Sequence, residues 1–125
     1  DDDPNGTHER CFNVIKQTLY ENRDNTSVRC VFIYKGAWGA WDHAMTNDKR
    51  LMKIAMSSRT FDLKKLSIEA HQTQNPPVVT NSDKRTFLER IVKSNCSLTD
   101  PERFEESVLK LNLDEFLSYS FKNQH

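Results

Sequence analysis

No stretch of this chain approaches the roughly 18 apolar residues of a membrane-spanning helix, so no span is expected. Excess charge of one sign is also missing, since 18 Lys and Arg balance 18 Asp and Glu. Without a net positive field, the counterion release that drives sequence-independent nucleic-acid binding has no evident source, and nucleic acid is not expected as a partner. Glycine and proline are scarce, at three and four residues, which argues against a turn-rich β-sandwich or barrel. The Gly-x-Ser-x-Gly, Gly-x-Gly-x-x-Gly and P-loop patterns are absent, so hydrolase and nucleotide-binding readings have no anchor. The four histidines, at 8, 43, 71 and 125, are never spaced i, i+4, and no Cys-x-x-Cys occurs, so neither a metal nor another cofactor is expected.

What the chain does carry is three N-glycosylation triplets, Asn5-Gly6-Thr7, Asn25-Thr26-Ser27 and Asn95-Cys96-Ser97. Ten asparagines and nineteen Ser/Thr would give about 1.5 by chance, so three is a modest excess. A glycan is added to such a triplet only in the secretory pathway, so Asn5, Asn25 and Asn95 point to a secreted, extracellular glycoprotein. The chain opens on Asp1-Asp2-Asp3-Pro4 rather than on an apolar signal region, and reads as a mature or trimmed form. Cys11, Cys30 and Cys96 allow one disulfide in three pairings, leaving one thiol that would suit a covalent homodimer. Pairing Cys11 with Cys30 would close a loop of about 20 residues and contribute roughly 3 kcal/mol. The competing reading is three reduced, buried thiols in an intracellular protein.

A length of 125 residues fits a single domain, with 1–6 and 122–125 as flexible tails. Thr7 is the candidate cap of a helix from 8 to 22 that turns Cys11, Ile15 and Leu19 inward, flanked by Phe12 and Val14. The run from Val28 to Tyr34 is apolar apart from Arg29 and rich in β-branched and aromatic residues, as a buried strand would be. Trp41, Met45, Met52 and Met56 recur at helical spacing, which predicts a helix over 41–57. Residues 61–70 suit a helix or a strand equally, and Pro76-Pro77 marks a loop over 71–80. Ser82 predicts a helix from 83 to 94, and Thr99-Asp100-Pro101-Glu102 a further helix carrying Phe104, Val108, Leu109 and Leu111 inward. Asn112 and Glu115 have the spacing of a capping box, so that helix either continues or restarts there.

These elements predict a mainly α fold, a compact domain of about four helices with a short β element near 28–34. The alternative is α+β, with a sheet built from 28–34 and 61–70. With no catalytic set, the best-fitting activity is binding an extracellular protein, as a signalling factor or immune-modulating effector. Candidate contact residues are Trp38 and Trp41 between glycines, Met45 and Met52 of the methionine stripe, and Glu105 and Glu106 of an acidic C-terminal segment. Each has a plainer reading, since tryptophan and methionine at helical spacing are usually core and surface charge is usually solvated. A second class is a carrier of an apolar small molecule, with Trp38, Trp41 and the three methionines lining its cavity. A small hydrolase, the third class, would require histidines or carboxylates to converge in one cleft.

Overall fold

A computed structural model describes residues 6–35, 41, 45, 47–71, 86–97, 100 and 102–120. Among them the elements run α1 (Thr7–Glu21), β1 (Cys30–Tyr34), β2 (Leu51–Met56), α2 (Ser58–Ala70), α3 (Phe87–Asn95), β3 (Phe104–Asn112) and α4 (Leu113–Ser118). The described strands form one antiparallel sheet in the order β1-β3-β2, which places the last of them in sequence at its centre. The fold is therefore mixed α+β, and the expectation of a mainly α domain is corrected.

Two segments expected as helices are strands. Within 41–57, residues 51–56 pair with β3 from Leu51 opposite Leu109 to Met56 opposite Phe104. The helix expected from Asp100 onward is replaced at 104–112 by β3 itself. Leu109-Lys110-Leu111-Asn112 alternates apolar and polar with period two, whereas Phe104, Val108 and Leu111 also satisfy a helical face; pairing with two neighbouring strands decides between them. The undecided stretch 61–70 lies within α2, where the Ser57 hydroxyl accepts a bond from the Thr60 amide at 3.1 Å. The sheet thus uses 51–56 and 104–112 where the α+β alternative had 61–70.

Helix termini follow local chemistry more closely. The Asn112–Glu115 capping box forms as expected: the Asn112 side-chain Oδ1 accepts from the Glu115 backbone amide, and the Glu115 carboxylate from the Asn112 backbone amide, both at 2.8 Å. It starts α4 as a new helix. A second capping box, Thr86 with Glu89, opens α3 at Phe87; the expected cap Ser82 lies outside the described residues. For α1 the turn before the helix is Gly6 at φ 62°, a left-handed geometry that glycine adopts without Cβ strain, and Thr7 does not act as the cap.

One sheet face makes the main core. Ile33, Leu51, Leu109 and Leu111 project from it and pack with Trp41 and with Phe116 of α4, while Phe12 and Leu19 of α1 close over them. The Phe12 and Phe116 rings meet edge to face at 5.3 Å. Cys11, Val14 and Ile15, expected on the inward side of α1, are exposed, because the face that docks runs through Phe12, Lys16 and Leu19 instead. Residues 104–107 extend past the end of β1, and two carbonyls of their free edge find side-chain donors. Trp41 Nε1 donates to the Ser107 carbonyl at 3.0 Å and Asn95 Nδ2 to the Glu105 carbonyl at 3.1 Å, and just before the strand the Ser97 amide donates to the Arg103 carbonyl at 2.8 Å. An edge strand is thus closed partly by side chains.

Candidate protein-binding face

Alternation along a strand fixes what lies on the other face of the sheet. With Ile33, Leu51 and Leu109 turned inward, Phe32 and Tyr34 of β1, Val108 and Lys110 of β3, and Met52 and Ile54 of β2 project outward. In the pairing register Tyr34 lies opposite Val108, and Val108 opposite Met52, so one apolar row crosses all three strands. Phe32 lies beside Lys110, whose ammonium sits 5.9 Å from its ring centroid, and Ile54 lies beside Glu106. Tyr34 is 72% exposed, Phe32 52%, Ile54 50% and Met52 42%, so the outer sheet face is largely open to solvent.

Among the described residues a helix covers only one end of this face. Phe61 of α2 stacks on Phe104 at 3.9 Å and is itself buried, and Lys64 pairs with Glu106 at 3.1 Å. The remainder is an apolar platform with a cation at one end, Lys110, and a carboxylate at the other, Glu106. Contiguous exposed aromatic and aliphatic side chains of this kind characterise interaction surfaces more than ordinary solvated ones.

The expected contact residues are dispersed by this arrangement. Met52 lies in the open row and Glu106 at its rim. Trp41 is buried in the core, with its indole N–H bonded to Ser107 and Lys35 5.0 Å above its ring, and Met45 packs against the same core. Glu105 points to the opposite face from Glu106, half-buried, with Oε1 accepting no hydrogen bond. Trp38 lies outside the described residues. Met45 and Met52 occupy opposite faces of the sheet and do not line one cavity. Phe32, Tyr34 and Ile54 were not among the expected contact residues; the signal that would have found them is the two-residue period of 109–112, propagated through the register.

Glycosylation and redox positions also separate. Asn25 is exposed in the turn after α1, while Asn5 lies outside the described residues. Asn95 is only 3% exposed, and its Nδ2, the atom that a glycan would occupy, donates to Glu105. Cys11, Cys30 and Cys96 are unpaired; Cys11 is exposed on α1, and the Cys96 thiol donates to the Val92 carbonyl at 3.2 Å.

The strongest charge cluster is structural. Arg50 grips the Asp48 carboxylate through Nε and Nη2, at 2.8 Å for the shortest contact, and reaches Glu115 of α4 at 3.7 Å. The Arg50 side chain, and then its backbone amide, hold the Asp48 carboxyl below its ordinary range, and Asp48 in turn raises Arg50. Burial pushes the neighbouring Tyr119 hydroxyl up. These groups satisfy one another and fasten the start of β2 to α4. Among the described residues no group of His, Cys, Asp and Glu could hold a metal ion, and no helix is long and apolar enough to cross a membrane.

Comparison of the chain with protein-family models, with curated proteins and with solved structures finds no match.

Proposed function

We propose that this protein is a small secreted glycoprotein that acts by binding an extracellular protein, as a signalling factor or immune-modulating effector, through the open face of its sheet. The observation that carries the reading is the row Tyr34–Val108–Met52 with Phe32 and Ile54 beside it, in which Tyr34, Met52, Phe32 and Ile54 are exposed, on a face that, among the described residues, a helix contacts only around Phe104 and Glu106. Burying such side chains releases roughly 25 cal/mol per Å2 of apolar surface, and aromatic anchors lose little rotamer entropy on docking. The secretory part rests on the triplets, with Asn25 as the accessible acceptor. Arg23, in the turn that carries Asn25, pairs with Asp114 of α4 at 3.2 Å, and α4 packs on the core side of the sheet. A glycan on Asn25 therefore leaves the open face free.

The test is expression behind a signal peptide in eukaryotic cells, followed by intact mass with and without enzymatic deglycosylation and by cell-surface binding. A glycan mapped to Asn25, and surface binding abolished by Tyr34→Asp or Met52→Asp without loss of secretion, is the expected outcome. A secreted but unglycosylated chain, or binding indifferent to both substitutions, would count against it.

A further inference from the structure

Resting on the reading of this sheet face as a docking surface, we infer that in the absence of its extracellular partner the face is covered by a second copy of the chain, held face to face about a two-fold axis along the row Tyr34–Val108–Met52. The argument is charge self-complementarity. Glu106, Val108 and Lys110 project from the same face of β3, with Glu106 and Lys110 two residues to either side of Val108. At about 3.4 Å of rise per residue they stand about 7 Å on either side of the centre. Rotation by 180° about an axis lying in the interface and crossing the strands at Val108 reverses β3 and turns the face over. Lys110 of one copy then lies against Glu106 of the other, and the pair is formed twice.

The same rotation stacks each Tyr34–Val108–Met52 row on its copy. Two sheets pack in this way about 10 Å apart, with their strands within about 30° of one another. No like-charged residues of β3 are brought together. Lys64 engages one oxygen of Glu106, Oε1, and leaves the other for the incoming ammonium. α2 stands at the Phe104 end of the face and reaches the stacked rows 106–110 through Lys64 at Glu106. A self-complementary patch of this kind is what an isologous interface requires, since every contact must occur twice.

Sedimentation of the full chain between about 1 and 200 μM reads the equilibrium. Dimer formation is expected for the wild type. Lys110→Glu and Glu106→Lys should each weaken self-association at least about tenfold, because each places like charges opposite one another across the axis. Both positions are exposed, and circular dichroism should show unchanged folding. The decisive result is the mixture: Lys110→Glu and Glu106→Lys chains carry complementary faces and should form a heterodimer although neither self-associates well. A wild type monomeric throughout, or a mixture of the variants that stays monomeric, would overturn the inference. Monomeric behaviour with cell-surface binding still lost on Tyr34→Asp would refute the self-docking alone. Heterodimer formation by a chain that is neither secreted nor glycosylated would support the dimer and refute the secretory reading.

Discussion

Replacing Leu109 tests which face of the strand at 104–112 is buried. Leu109 is fully buried, at 0% exposed, in the middle of the central strand with Ile33 and Leu51 opposite it on either side. Paired backbone flanks it on both edges, so the site has little freedom to collapse after truncation. Leu109→Ala should cost about 3 kcal/mol, within the range of about 2–5 kcal/mol found for buried leucine. With a urea m-value of about 1.5 kcal/mol/M, the unfolding midpoint should fall by about 2 M. The neighbouring Lys110→Ala, on the open face, should stay within about 0.5 kcal/mol of wild type. Urea unfolding followed by circular dichroism reads both. A Leu109→Ala cost below about 1 kcal/mol, or a Lys110→Ala cost equal to it, would refute the assignment of the strand's faces.

Asn112→Ala removes the cap of α4 and should lower stability by about 1 kcal/mol, read as a shift in the urea midpoint. Trp41→Phe keeps most of the ring but removes the donor to the Ser107 carbonyl, and should cost about 1–3 kcal/mol in the same assay if that edge carbonyl is left unpaired. Because the Asp48 carboxyl titrates below its ordinary value in the folded chain, its contribution is fully present above the unfolded value of about 3.9 and is lost as pH falls through the folded one. Asp48→Asn should therefore be less stable than wild type at pH 7, with the gap closing below about pH 4 in a pH series of thermal unfolding.

The legible parts of the sequence were those fixed by short-range chemistry. The Asn112–Glu115 box is a reciprocal pair three residues apart, and it forms whatever surrounds it. The strand at 30–34 is rich in β-branched and aromatic types and is a strand, although only one of its faces is buried. What misled was the apolar spacing of 51–56 and 104–112. Met52 and Met56 are four residues apart, as are Phe104 and Val108, and this spacing suits one helical face; in an extended strand residues four apart also share a face. The choice was made by pairing with residues about 55 positions away, which local propensity does not contain. The candidate site inherited that error. Helical spacing groups Trp41 and Met45 with Met52, but 51–56 is extended, so Met52 turns out to the open face while Met45 stays with the core. Tyr34 and Phe32 looked like core because nothing polar alternates with them in the chain; their exposure follows from which face of β3 the helices cover.

Hydroxyl-radical footprinting of the dilute secreted protein, repeated with its binding partner present, addresses the open face most directly. Tyr34, Phe32 and Met52 should be modified rapidly in the dilute protein, while Phe61 and Phe116 stay protected, and the first three should become protected when the face is occupied. Slow modification of Tyr34 and Met52 in the dilute protein, or unchanged modification on binding, would contradict the account.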